Sequence, residues 1–302
     1  MIVLTVMSQS ALSLEPPPIG SDTNSNLVVV YPEVRQPFLK VYQTIAKGAA
    51  EGFAGATSEF MLREELPPSD LGTQLSDSLV VALGGRGVKQ LQSLELAHPL
   101  VVGAVSREIP DVFGLTMIPD SSIIANRLKI LAPMTTRVFV VVRDENAVVD
   151  LKFAQLEFNN VGVQLIIKEV KDVRGAAGSY REIVRSLGKG DAVWIPSGDR
   201  FVSNALLSIL LQASWKSEFI VFSSNPTHVK RGAYFSVYPD NFKMGVCLGE
   251  LAREIAQGSQ QAAKMEPLKH VFVTVNERTS NHLGIQLTDE MKQHIDLVLP
   301  AR

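Results

Sequence analysis

What most constrains this chain is an alternation. Short runs of consecutive β-branched and other apolar residues are each followed by a stretch whose apolar positions recur every three or four residues. The runs are Leu27–Tyr31, Ser78–Leu83, Leu100–Val105, Phe113–Ile118, Arg137–Val142, Val163–Val170, Ala192–Ile195 and Phe219–Phe222. Residues apolar on consecutive positions suit strands buried on both faces, as in a parallel sheet covered by helices. Between the runs, Phe38, Val41, Tyr42, Ile45 and Ala49 share one helical face behind Pro37, whose missing N–H costs nothing at a helix start. Ile124, Leu128 and Leu131 repeat the pattern after Asp120, and Leu206 to Leu211 lie on a helix continuing to Trp215. Ser179 and Glu182 read as a capping box opening a helix through Leu187, the hydroxyl and the carboxylate each satisfying a backbone donor. Asp240 is expected to cap a helix carrying Met244, Cys247, Leu248, Leu251 and Ile255. Thr288, Asp289 and Glu290 are expected to open the last helix, with Met291, Ile295 and Val298 inward.

Alternation repeated this often predicts an α/β fold with right-handed crossovers. In 302 residues there are about four units on each side of residue 119, more than one compact sheet needs. The expected architecture is two doubly wound parallel-sheet lobes, with a ligand cleft where their strand ends face each other. Residues 15 to 26 have a linker composition of Pro, Ser, Asn and Asp, so folding is expected to begin at Leu27. Met1 to Ser13 reads as a signal peptide with Ala11-Leu12-Ser13 as cleavage site, though without a basic n-region; an ordinary disordered N-terminus is the alternative.

Chemistry-bearing motifs are sparse. Twenty-nine Lys and Arg against 31 Asp and Glu give a formal charge of -2 with no basic cluster, so no nucleic-acid or anionic-membrane footprint is expected. The loop Gly84-Gly85-Arg86-Gly87 follows a strand, but Gln90 stands where a dinucleotide fingerprint needs its third glycine. The loop still offers backbone N–H groups and an arginine to an anion. There is no phosphate-loop, zinc-protease or nucleophile-elbow pattern. The histidines at 98, 228, 270, 282 and 294 lack ligand spacing and read as core or surface residues. Glu64-Glu65 and Asp144-Glu145 read as solvated loop charges, and Cys247 as a small core hydrophobe rather than a nucleophile. With no acid/base pair, no metal site and no cofactor site to nominate, the expectation is a binder rather than an enzyme.

In order along the chain, Asp77–Gly85, His98–Val105, Val112–Thr116, Arg127–Pro133, Asp191–Val202, Gly232–Gly245 and Val275–Ile285 resemble the ABC transporter substrate-binding protein family, which includes tryptophan- and tyrosine-type binders. The resemblance runs from about residue 27 to 299 in one register. It implies a periplasmic-binding-protein type I fold: two lobes joined by three crossovers near Ile118, Val237 and Leu268, closing on a ligand by hinge rotation. The implied lobes are residues 27–118 plus 238–267 and residues 119–237 plus 268–302. The implied cleft residues are Tyr31, Gly85, Arg86, Ser106, Thr116, Gly198, Asp199, Ser223, Ser224, Ser236 and Tyr238. Of these, Tyr31 and Tyr238 would stack on a ring and Arg86 would pair a carboxylate. Met117 stands where relatives carry a carboxylate, which argues against an α-amino acid ligand and toward a different or more anionic solute. The implied role is an exported, monomeric solute-binding protein delivering a small molecule to an ABC permease. The runner-up is a module of the same fold regulating a membrane sensor protein, and the third reading is a cytosolic enzyme or regulator on a similar fold.

Overall fold

The computed structural model describes residues 26–63, 68–143, 151–198, 201–259 and 262–300. The expected signal segment, the pairs Glu64-Glu65 and Asp144-Glu145, and the candidate ligand residue Asp199 lie outside the described residues.

The chain begins with β1 (Leu27–Pro32), α1 (Phe38–Phe53), β2 (Thr57–Leu62), α2 (Pro68–Leu75), β3 (Leu79–Leu83), α3 (Gly85–Leu91), β4 (Val101–Val105) and β5 (Phe113–Pro119). It then passes to α4 (Ser121–Leu131), β6 (Arg137–Arg143), α5 (Leu151–Asn160), β7 (Gln164–Val170), α6 (Val173–Ser186) and β8 (Asp191–Ile195). This half continues through α7 (Asn204–Ser217), β9 (Ile220–Ser223), α8 (Pro226–Lys230) and β10 (Phe235–Pro239). The chain returns as α9 (Asn241–Ala256) and β11 (Met265–Leu268), and ends with β12 (Val271–Asn276), α10 (Glu277–His282), α11 (Asp289–Lys292) and β13 (Leu297–Leu299).

Two sheets result, ordered β2-β1-β3-β4-β5-β11 and β7-β6-β8-β9-β10-β12-β13. Every pairing is parallel except β10 with β12. Each sheet starts from an inner strand, steps outward once and then reverses, which is the order of doubly wound sheets. The chain moves between sheets three times: after Pro119, after Pro239 and after Leu268. The crossings are tied to one another, because Asp120 N–H donates to the Leu268 carbonyl at 2.9 Å and Asp240 N–H to the His270 carbonyl at 3.1 Å. The same two aspartates cap the helices that follow, accepting from Ser122 N at 2.8 Å and Lys243 N at 3.0 Å. The fold is α/β, two doubly wound lobes joined by three crossovers.

Consecutive strand residues face opposite sides of a sheet, so strands that are apolar throughout require cover on both faces. In the first sheet Leu27, Val29, Val81 and Leu83 pack beneath α1 and α9, while Val28, Val30, Val80 and Ala82 pack against α2 and α3. In the second, Val138, Val140, Val142 and Trp194 face α4 and α5, and Phe139, Val141, Val193 and Ile195 face α6 and α7. The closest helix contact is between α1 and α9, which run parallel with Gly48 and Gly52 against Gly245 and Gly249. A β-carbon on Gly48 would stand 2.0 Å from the Phe242 carbonyl oxygen, and one on Gly245 would stand 2.0 Å from that of Ile45. These helices meet backbone to backbone, a contact that only glycine allows.

Several local expectations need correction. All eight apolar runs are strands, but β2 and β10 to β13 were not among them; β2 is a half-exposed edge strand with no continuous apolar run. Ser179 does not open a helix: α6 begins at Val173, capped by Asp172, whose carboxylate accepts from Gly175 N at 2.7 Å. Small residues in its first two turns hide the period there. The last helix stops at Lys292, and Val298 lies in β13, paired with β12. Phe38 does not turn inward with Ile45 and Ala49; it is 67% exposed. Cys247 is half-buried on α9 beside the fully buried Leu248, and burial pushes its thiol pKa up, followed by the nearby Glu250 charge.

Candidate functional site

Parallel strands present their carboxyl ends to the same side, and in both lobes that side faces the other lobe. The cleft between them has a volume of about 1050 Å³, just above the roughly 300–1,000 Å³ usual for ligand pockets. The first lobe contributes Ser106 after β4, Met117 from β5 and Phe38 from the first turn of α1. Most of the wall comes from the second lobe. Pro196, Ser197 and Gly198 follow β8, beside the point where the strand order reverses, and Asn204 sits in the first turn of α7. Ser224, Asn225, Thr227, His228 and Arg231 follow β9, and Pro239 ends β10 at a crossover.

The wall after β9 is held by one hydrogen-bond network. Asn225 caps α8, its Oδ1 accepting from Thr227 N at 3.0 Å and from Thr227 Oγ1 at 2.8 Å. That orientation leaves its amide Nδ2 3.5 Å from His228 Nε2. The buried Ser223 hydroxyl donates to the Ile195 carbonyl at 3.2 Å and accepts from Asn225 N at 3.0 Å. Ser223 Oγ also pairs with His228 Nδ1 at 2.9 Å, so the serine holds the imidazole ring in place. Burial first, and the Arg231 charge second, hold the His228 pKa below its ordinary value, which favours the neutral ring. Arg231 is itself anchored, donating to Asn204 Oδ1, to the Asn204 carbonyl at 2.9 Å and to Ser208 Oγ at 3.1 Å.

A serine and a histidine 2.9 Å apart invite a nucleophile-and-base interpretation, but Ser223 is 1% exposed behind the wall, out of a substrate's reach, and its hydroxyl also lies 3.2 Å from the Ile195 carbonyl. The arrangement stiffens a wall. It presents hydroxyls, amides, a guanidinium and a neutral imidazole on one side, and the Phe38 ring and Met117 on the other, which suits recognition of a small molecule by shape and hydrogen bonds. Among the described residues no group of His, Cys, Asp and Glu is placed to hold a metal ion, and no helix is long and apolar enough to cross a membrane.

Of the residues nominated from sequence, the cleft brings together Ser106, Gly198 and Ser224, with Ser223 directly behind the wall. Tyr31 is buried in the first lobe, donating to Glu59 Oε2 at 2.6 Å and stacked on Tyr42 with centroids 5.7 Å apart. Gly85 and Arg86 form the exposed start of α3 at the carboxyl end of β3 and are not among the residues lining this cleft. Thr116 and Ser236 are buried in β5 and β10, where the Thr116 hydroxyl accepts from Ile118 N at 3.3 Å and the Ser236 hydroxyl has no partner. Tyr238 pairs its hydroxyl with Thr274 Oγ1 at 3.2 Å. Phe38, Asn204, Asn225, His228 and Arg231 were not anticipated. A signal that could have found three of them is Asn225-Pro226, separated by two residues from the end of an apolar run, which marks a helix starting at a strand's carboxyl end.

A family model described as ABC transporter substrate binding protein matches residues 79–298. Among curated proteins, none matches the sequence. Among solved structures, a ligand-free, open substrate-binding protein with adhesive properties from Clostridium difficile is 17% identical with a TM-score of 0.63, covering 90% of this chain and 98% of its own. An ABC domain in complex with L-Trp from Streptococcus pneumoniae is 16% identical with a TM-score of 0.57, over 91% and 100% of the two chains. A sugar-binding protein of a sugar ABC transporter from Bacillus halodurans is 10% identical with a TM-score of 0.51, over 86% and 100%. At these identities the likeness to solved structures is one of fold, and it supports a periplasmic-binding-protein type I architecture.

Proposed function

Because the chain belongs to the ABC transporter substrate-binding protein family, we propose that it is the exported solute receptor of an ABC importer, binding a small polar or aromatic molecule between its lobes and passing it to a membrane permease. The observation that carries this reading is the inter-lobe cleft, polar on the second-lobe side and faced by Phe38 and Met117 from the first. In this reading residues 27–118 plus 238–267 and residues 119–237 plus 268–302 move as rigid bodies about the three crossings, a hinge closure. Phe38 closes over the ligand while Arg231, Asn225 and His228 hold its polar atoms. Ser106, Gly198 and Ser224 line the same space, with Asp199 next in sequence to Gly198. The pneumococcal and Bacillus neighbours put tryptophan and sugars in the screen, and Met117 in the cleft, where relatives carry a carboxylate, puts aromatic acids beside them.

The test is a thermal-unfolding screen of the purified chain against amino acids, aromatic acids, nucleosides and sugars. A solute that binds only the folded state, present at about 100 times its Kd, adds about 2.7 kcal/mol of stability. The expected result is one saturable hit that Arg231→Ala and Phe38→Ala each weaken at least tenfold. A folded protein that no solute stabilises would count against the reading. Export is tested separately by sequencing the mature N-terminus, which is expected near Leu14.

A further inference from the structure

The charge and the hydrogen-bonding sense of the second-lobe wall narrow what the cleft can hold. Among the described residues lining it, Arg231 is the only lysine or arginine, and no aspartate or glutamate stands with it. Arg231 is exposed, and among the described residues it makes no ion pair. Three of its five N–H groups go to Asn204 and Ser208, which fixes the guanidinium and leaves two for a ligand. The pair Asp199-Arg200, next in sequence to Gly198, adds no net charge.

The side-chain amides of the wall are turned to the same purpose. Asn225 Oδ1 has both lone pairs in use, accepting from Thr227 N at 3.0 Å and Thr227 Oγ1 at 2.8 Å. Asn204 Oδ1 accepts from the Arg231 guanidinium, a place closed to a second cation. Asn204 also opens α7, whose first turn holds no acidic residue to offset the positive end of the helix. An ammonium group brought here would lose its hydration beside a fixed guanidinium, with no carboxylate among the described lining to replace it. An anion finds donors already oriented. His228 is held neutral by burial and by the Arg231 charge, so one cation faces the cleft, which matches a single carboxylate better than a dianion. Across the cleft, the exposed Phe38 ring and Met117 offer an aromatic and a thioether surface to an aryl group.

Resting on the reading of the cleft as a solute-receptor site, we propose that its solute is an organic monoanion without an ammonium group: an aryl-bearing carboxylate that pairs with Arg231 while its ring lies against Phe38. The experiment is isothermal titration calorimetry of the full chain with two matched sets of probes. One is indole-3-propionate, its amide and L-tryptophan; the other is 3-phenylpropionate, its amide and L-phenylalanine. Within a set the aryl group is constant and only the charge pattern changes. At least one acid binds, and it binds about tenfold or more tighter than both its amide and its amino acid. Arg231→Gln brings that acid to within about twofold of its amide, and Arg231→Lys, which keeps the charge and loses the planar fork, retains part of the preference. Phe38→Ala weakens acid and amide by similar factors.

If neither acid binds while an amino acid, a nucleoside or a sugar does, the monoanion assignment falls and the receptor reading stands. A folded protein that responds to no solute would count against both. An amide or amino acid that binds as tightly as its acid overturns the proposal, and so does an Arg231→Gln variant that keeps the acid's advantage. Phenyl phosphate, a dianion, binding more tightly than either acid would overturn it as well.

Discussion

The seam between α1 and α9 yields a prediction whose sign is opposite to the usual one. Replacing a helical glycine by alanine normally stabilises, by up to about 1 kcal/mol, because alanine is the better helix former. Gly178 on α6 is such a position, exposed and with nothing within 4 Å of its added β-carbon. Gly48→Ala places the same methyl group 2.0 Å from the Phe242 carbonyl oxygen and 2.9 Å from Val246 N, roughly 1.4 Å short of ordinary contact with the first. Both obstacles are backbone, so no side-chain rotation relieves the clash and the helices must part. Parting them unpacks Ile45, Ala49, Met244 and Leu248, all fully buried. Overpacking costs about 1–3 kcal/mol and occasionally more, and a clash without rotameric escape belongs at the upper end. Net of the propensity gain, Gly48→Ala is expected to destabilise by about 2 kcal/mol, while Gly178→Ala stabilises by about 0.4–1 kcal/mol. Urea unfolding followed by far-ultraviolet circular dichroism measures both; both tryptophans, Trp194 and Trp215, lie in the second lobe and would miss a transition confined to the first. A Gly48→Ala protein as stable as the parent would refute the argument that the two backbones touch.

Three further outcomes are expected. His228 titrates below its ordinary 6.5 when folded, so the unfolded chain takes up its proton first as pH falls; the His228 contribution is complete above about pH 6.5 and shrinks below it. The stability difference between the parent and His228→Gln should decline from pH 7.5 to pH 5 by about the amount that the histidine shift supplies, and a flat difference would contradict the wall network. Burial, and then the hydrogen bond to Glu59, push the Tyr31 hydroxyl up to about 12; its contribution is present below pH 10 and is lost as pH rises toward 12, so Tyr31→Phe should be less sensitive to alkali, as read by phenolate absorbance and unfolding midpoint. Asp191, buried at the start of β8, accepts from Arg137 at 2.8 and 2.9 Å and from Gly188 N at 3.0 Å, so Asp191→Ala should cost about 2–3 kcal/mol in urea unfolding, against under 1 kcal/mol for removing the exposed Lys189–Glu218 pair.

How far the sequence carried the fold depended on where each strand lies in its sheet. Strands buried on both faces, such as Leu79–Leu83 and Asp191–Ile195, are apolar on nearly every residue and were recognisable without any partner. β2 is an edge strand with polar and exposed positions, and β13 has only three residues, so neither carries a periodic signal strong enough to read. The cleft was harder. Ser106, Gly198 and Ser224 follow recognisable strands, and position after a strand is what a sequence can supply. Phe38 looked like a core residue because it fits the same helical face as Ile45, and only the position of the opposite lobe leaves it in the cleft. His228 looked inert because its partners, Ser223 and Asn225, are not ligand-spaced histidines or carboxylates but groups brought together by a strand end and a five-residue helix.

The three crossings also bear on how the molecule comes into being on the ribosome. Because α9 is encoded after the whole of β6 to β10, the first sheet emerges with only α1 of the two helices that cover Leu27, Val29, Val81 and Leu83. At about 5–20 residues per second, the wait between Pro119 and Ala256 is on the order of 10 s. During that interval the part of this apolar face that α9 will cover stands open while the second lobe acquires most of its strands. Nascent chains stalled just before and just after α9 should therefore differ sharply in chaperone capture and protease sensitivity of the first lobe, and the vulnerability should be set by translation speed through the stretch between them.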